Sequence, residues 1–359
     1  ENFPTVVYLV QRLRPPADKW SAPLPQHPLQ IWKLHYEAGM LREELLADLQ
    51  PEVLAAQGIP EAIGYARALH LLPAPDGKML ALSVEAGYPP AAVLIVTTEG
   101  TVVWHSTLEC PAMDVFGWAP DSAEVLALVH GCSLVSIDEE GCRPVGACEG
   151  GAISPDGRYV FYTYAPIRLS RFDVNTGATV VLVREKFRPE LIYARTFVWS
   201  PDGKQAVLVW DKLVQVRYGE GQLWLMDADG SNLRPLGRDD TYDFYPAWSP
   251  DGKTIAFARR ENPPEDLAPI FDPTALVSSL YLLDAESGNE RLLLSSEGKF
   301  AHWDPEWLPD GSGLVFLSDR GGEANLYFIR SDGTGLQQLT RQGGLTGEIA
   351  VLKPQEGGK

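Results

Sequence analysis

The chain has 359 residues, 45% of them hydrophobic and 10% aromatic, which is ample for a large core, and its formal net charge is −18. With a pI near 4.7, this acidic protein lacks the Lys/Arg excess that nucleic-acid phosphates or an anionic bilayer surface demand. No apolar run approaches the ~18 residues of a membrane-spanning helix, so no nucleic acid and no membrane-spanning segment are expected.

In chain order, the apolar runs "TVVYLVQRL" from Thr5, "LQIWKLHY" from Leu29 and "LREELL" from Leu41 read as strands, the last with a helical alternative. The opening "ENFPTVVYLV" has no Met and no basic signal-peptide stretch. It fits a processed chain, and export to the periplasm or cell surface is the expected localisation. "LQPEVLAAQG" (Leu49–Gly58) reads as a short helix over about 50–58, with Pro51 in its first turn and Gly58 as its stop.

Further along, two turns alternate. The first is Pro-Asp-Gly: "WSPDGK" at Trp199–Lys204 and again at Trp248–Lys253, with looser copies at Leu72, Trp118, Ile153 and Trp307. Proline presets φ for a type I turn, Asp suits the next position, and Gly takes the left-handed position that follows. The recurrent Asp76, Asp121, Asp156, Asp202, Asp251 and Asp310 are therefore turn residues rather than a carboxylate array for metal. The second turn is acidic or Asn/Gly, as in "FDVNTGATVVLV" and "LMDADGSNLRPL". Markers of the two kinds alternate strictly from Gly39 through Asp76 to Gly333, seven of one and six of the other.

Each pair of turns makes a four-stranded antiparallel unit, and units at ~35–60-residue spacing read as propeller blades. Six span about 63–340, and the terminal segments 1–47 and 345–353 supply the strands of a seventh. The expectation is an all-β, seven-bladed β-propeller of four-stranded blades, one domain over 1–359, with one blade shared by the N- and C-termini. Trp118, Trp199, Trp248 and Trp307, at the ends of the innermost strands, are expected between neighbouring blades. Cys110, Cys132, Cys142 and Cys148 fit no zinc spacing. A Cys132–Cys148 or Cys110–Cys148 disulfide, or buried free thiols, are the readings left open.

These residues resemble the TolB-like β-propeller repeat, whose hallmark is the Trp-Ser-Pro-Asp-Gly-Lys turn followed by "LW-x-x-D-x-D-G". The chain has "LWLMDADGSNLRPL" (Leu223–Leu236) and "LYFIRSDGTGLQQLT" (Leu326–Thr340). The match is strong over Val198–Thr340 and weaker over Leu69–Gly177. Such propellers also occur in prolyl-oligopeptidase-like peptidases, in periplasmic scaffold proteins and in oligogalacturonate lyases. The resemblance thus implies a propeller and leaves the activity open.

Catalytic signatures are missing: no G-x-S-x-G, no Walker loop, no H-E-x-x-H. No cofactor and no metal are expected, although His302 and Asp304 would be the ligands of a metal site. His70, Tyr245 and Asp304 fall at equivalent positions near the start of an innermost strand, facing the channel mouth. Long segments, Arg14–Pro28, Trp210–Gly221 and Arg259–Val277, fall on that same rim. Candidate ligand-binding residues there are Tyr193, Arg195, Asp243, Tyr245, His302, Trp303, Asp304 and Arg320. Aromatics beside Arg and Asp suit a sugar, a peptide segment or a chain end. The expected function is non-catalytic protein binding: a propeller scaffold that takes a protein partner or a small polar ligand such as a sugar. The alternatives are a carbohydrate-active enzyme, a polysaccharide lyase or glycoside-processing protein, and the propeller part of a larger peptidase.

Overall fold

The computed structural model describes residues 3–11, 13–14, 24–25, 28–37, 40–55, 67–85, 91–107, 109–129, 131–137, 142–146, 150–164, 168–183, 191–212, 221–238, 241–261 and 277–352. Among them the single α-helix is Pro51–Ala55. The rest of the regular structure is strand, and every strand pair is antiparallel.

Three four-stranded sheets come first. They run Arg67–Pro73, Met79–Glu85, Ala91–Thr97, Val102–His105; then Asp114–Trp118, Glu124–Leu128, Cys132–Ser136, Cys142–Gly146; then Gly150–Ile153, Tyr159–Tyr164, Arg168–Asp173, Thr179–Val183. An eight-stranded sheet follows, made of two halves. One half is Leu191–Trp199, Gln205–Lys212, Gly221–Asp227 and Arg234–Pro235; the other is Asp243–Trp248, Thr254–Arg260, Ser278–Asp284 and Glu290–Leu294. A single bridge, Gly221 with Asp243, joins them. The next sheet is His302–Trp307, Gly313–Ser318, Asn325–Arg330 and Gln337–Gln338. Finally, Leu345–Val351 pairs with Val6–Val10, which continues to Gln30–Glu37 and Met40–Asp48. The helical alternative for Leu41–Leu46 gives way to strand, because this segment finds cross-strand partners along Gln30–Glu37.

Within each sheet the first strand in the pairing order is innermost. Leu345–Val351 lies beside both Arg67–Pro73 and His302–Trp307, and the other innermost strands neighbour one another in chain order.

The recurrent turns form as their chemistry dictates. In the Ser249–Lys253 copy, Gly252 N donates to Ser249 O at 2.9 Å, while Asp251 Oδ1 accepts from Ser249 Oγ at 2.6 Å and from Lys253 N at 3.1 Å. Ser200 with Asp202 and Ser154 with Asp156 repeat the pattern. These bonds hold the carboxylates below their ordinary range, Asp202 at about 2 with the Ser200 hydroxyl the leading cause. Consecutive turns pack closely: at Gly203, φ is +68° and a Cβ would stand 2.9 Å from Pro155. Glycine is required there for both reasons.

Three of the tryptophans tie their strand to an innermost strand that precedes it. Trp118 Nε1 donates to Leu72 O at 2.9 Å, Trp248 Nε1 to Val198 O at 2.9 Å, and Trp307 Nε1 to Ala247 O at 3.2 Å. Trp199 Nε1 has no such partner among the described residues; the preceding innermost strand, Gly150–Ile153, is only four residues long. Between sheets lie apolar clusters such as Trp210, Trp224, Phe161 and Met226.

Cys110 is bonded to Cys142 across a 5.8 Å Cα–Cα span, which replaces the expected Cys110–Cys148 pairing. The chain leading into Asp114–Trp118 brings Cys110 to the outermost strand of that sheet. Cys132 is also disulfide-bonded, and Cys148 lies outside the described residues.

Candidate functional site

The innermost strands carry a shared irregularity. Phe244 pairs with Ala258 but Ala247 with Ala256, so one extra residue is accommodated on the inner strand. Trp303/Leu317 and Glu306/Val315 repeat this step. The register also slips between Val115 and Gly117, between Ala68 and His70, and between Ala194 and Thr196. On the C-terminal strand, Ala350 pairs with Val7 and Thr346 with Leu9, which leaves two extra residues there. Bulges of this kind re-aim side chains. Tyr245 and Asp304 occupy left-handed backbone at φ 50° and 52°, each followed by proline. Such conformations cost roughly 1–3 kcal/mol each in a non-glycine residue.

The bulged segments converge on a cavity of about 310 Å³. One part of its wall is apolar: Leu72, Pro73, Phe116, Phe197, Val198 and Pro246. The other part is polar: His70, Asp114, Thr196, Tyr245, Asp304, Glu306 and Glu348. His70 Nδ1 lies 2.9 Å from Glu348 Oε1 and its Nε2 lies 3.8 Å from Asp114 Oδ2. Leu71 N donates to Glu348 Oε2 at 3.2 Å, and Ile349 N donates to Asp304 Oδ2 at 2.5 Å. Asp304 is 5% exposed, and burial, then the nearby Glu348 and Glu306 charges, push its carboxyl well up. Burial, with Glu348 adding to it, pushes Glu306 up to about 8.

Of the expected site residues, Tyr245 and Asp304 line this cavity. Tyr193 and Arg195 lie on Leu191–Trp199, and their side chains fall outside the described residues. Asp243 is fully buried in an ion triad instead. Arg259 Nε donates to Asp243 Oδ1 at 2.7 Å, while Arg259 Nη1 donates to Glu290 Oε2 at 2.6 Å. Burial raises Asp243 to about 6 despite the guanidinium. His302 is fully buried, its Nδ1 2.8 Å from Ser318 Oγ and its Nε2 3.2 Å from Ser295 O. Burial lowers its pKa to about 4. Both ring nitrogens are thus engaged within the protein. Trp303 packs in the core against its neighbours. Arg320 donates to Glu297 Oε1 at 2.8 Å and lies over the Phe300 ring at 4.8 Å. Among the described residues, no three His, Cys, Asp or Glu side chains are grouped to hold a metal ion.

Glu306, Glu348 and Asp114 escaped the sequence reading. The echo of "FYPAW" (Phe244–Trp248) in "WDPEW" (Trp303–Trp307) was the signal that marks a proline-following bulge and hence Glu306. Glu348 carries no such signal, because its strand ends the chain's pairing rather than opening a repeat.

No family model matches the chain. A 141-residue segment is 28% identical to an uncharacterized protein of Agrobacterium fabrum, covering 39% of this chain and 41% of that protein. A TolB homolog of Chlorobaculum tepidum is 30% identical over 128 residues, 36% of this chain and 26% of the homolog. Dipeptidyl-peptidase 5 of Porphyromonas gingivalis is 28% identical over 160 residues, 40% of this chain and 20% of the peptidase. The chain therefore spans less than half the length of each of these relatives. A chain of a nidogen/laminin complex superposes with a TM-score of 0.51 at 12% identity, over 98% of this chain and 100% of that one; this likeness concerns fold alone. Recurrent turns, successive antiparallel sheets and these matched segments agree in making the repeats of this chain similar to those of TolB-like β-propellers.

Proposed function

We propose that this is a non-catalytic propeller that binds a protein or small polar ligand through the channel mouth and the long-segment face around it. Seven blades in one domain, the last shared by the two termini, is the architecture proposed with it. The observation that carries this reading is the cavity itself. Six innermost strands bulge into it, and two of its residues hold left-handed backbone. The segments 213–220 and 262–276 lie outside the described residues; they are the connections from Gln205–Lys212 to Gly221–Asp227 and from Thr254–Arg260 to Ser278–Asp284, and are proposed as part of that surface. The Cys110–Cys142 bond favours an oxidising compartment and hence export. Immobilised full-length protein should recover a partner from an extract of its own source. Deleting 264–274 should release that partner while leaving the melting temperature in place; retention with undiminished yield contradicts the proposed face.

A second reading, a glycoside-processing enzyme, draws on one observation. Glu306, with its pKa near 8, has the protonation a general acid needs. Release of reducing sugar from polysaccharide, abolished by Glu306→Gln, would favour it.

A further inference from the structure

The cavity departs from a filled propeller channel in one respect: its carboxylates outnumber their partners. Glu306 accepts no hydrogen bond from any described residue. Asp304 is 5% exposed and uses only Oδ2, toward Ile349 N, which leaves Oδ1 unmatched within a wall of the cavity. No Lys or Arg is among the residues that line the space. Desolvated carboxylates without a counter-charge favour a cation that brings its own. A bare metal ion is disfavoured by the spacing, since no three ligands are grouped among the described residues. Beside this polar part, which also holds His70 engaged with Glu348, the wall is apolar and aromatic, and the cavity's size of about 310 Å³ is that of a small organic group.

We propose that the cavity receives an organic ammonium group carried on an apolar moiety, the ammonium between Asp304 and Glu306 and the apolar part against Phe116 and Phe197. The Tyr245 ring adds a face toward the cation. This rests on the channel mouth being a binding site and names the class of ligand for it. The same chemistry is offered by a free aromatic amine and by the N-terminus of a peptide chain.

The test is calorimetric titration of the full chain with 2-phenylethylamine, with the dipeptide Phe-Ala and with its N-acetylated form, with 2-phenylethanol and with calcium chloride. Binding of 2-phenylethylamine or Phe-Ala, weakened at least tenfold by Glu306→Gln and by Asp304→Asn, is the expected result. Both variants are isosteric, and circular dichroism verifies that they fold. The amide oxygen introduced by Asp304→Asn still accepts from Ile349 N, so a loss in that variant reports on charge. The tighter of the two binders identifies the source, free amine or chain end. Binding of 2-phenylethylamine, whose ammonium stays charged across this range, should also release protons and tighten from pH 6.5 to 8.5, because Glu306 must ionise while His70, Asp114, Glu348 and Tyr245 face the same space. Equal binding of the acetylated dipeptide or of 2-phenylethanol overturns the ammonium class but leaves the cavity a binding site. Calcium binding that is lost with Glu306→Gln overturns it in favour of a metal. Failure of every probe overturns the proposal, while partner capture through 262–276 remains separately measurable.

Discussion

Glu348, near the end of the chain, clasps His70 near its first described full sheet: Oε1 lies 2.9 Å from His70 Nδ1, and Oε2 accepts the Leu71 amide at 3.2 Å. On the other side of the same strand, Asp304 accepts the Ile349 amide at 2.5 Å. The carboxylates of the cavity thus also hold the C-terminal strand between its two neighbours.

Glu348→Ala should lower stability by about 1–3 kcal/mol, since it removes the acceptor of the Leu71 amide and the carboxylate beside His70 Nδ1. Chemical denaturation reads this directly. An unchanged midpoint would mean that the clasp contributes nothing.

Alkaline pH should weaken the fold through Glu306. Its folded pKa of about 8 stands above the ordinary 4.5, so the folded state holds a proton that the unfolded state has released. Stability is then fully present below about pH 4.5 and is lost as pH rises toward 8. Glu306→Gln should flatten the melting temperature across that window.

His302 acts in the opposite direction. Burial holds it neutral with a pKa of about 4 against the ordinary 6.5. Its contribution is present above pH 6.5 and lost as pH falls toward 4. A His302→Gln variant, compared with the parent from pH 7 to 4, should lose less stability on acidification.

Asp243→Ala should destabilise by about 1–3 kcal/mol, because Arg259 loses two buried charge-assisted bonds and keeps Glu290 as its one counter-charge in the triad. Unfolding curves decide the matter. An unaltered curve together with lost ligand binding would instead return Asp243 to the site.

Removing the Cys110–Cys142 bond with Cys110→Ser and Cys142→Ser should cost about 3–4 kcal/mol by loop-closure entropy, given its sequence separation of 32. Melting with and without reductant provides the comparison.

Much of the fold was legible because its signals are local. Pro201-Asp202-Gly203 makes its turn from its own atoms, and the run before Trp248 and the run after Lys253 must pair once that turn closes. The roles of the tryptophans followed from the same repeat. What escaped depends on distance. Asp243 meets Arg259 across a strand pair, and Arg259 meets Glu290 two strands further out, a relation that no spacing in the sequence encodes. His302 looked like a channel residue because the repeat placed it two residues from Asp304. The bulge between Trp303 and Glu306, with Asp304 in left-handed backbone, breaks the alternation that would put both on one face, and His302 meets Ser318 and Ser295 instead. The Cys110–Cys142 bond follows from the packing of Cys110 onto an outer strand, which no hairpin spacing encodes, whereas Cys132 is disulfide-bonded as the hairpin reading allowed.

The pairing of the two chain ends is the relation on which the cavity depends. Val6 and Val351 are cross-strand partners, so a Val6→Cys/Val351→Cys variant, oxidised and mapped by mass spectrometry, should yield a linked peptide pair within the monomer. Recovery of both peptides unlinked from folded protein would show that the ends do not share a sheet.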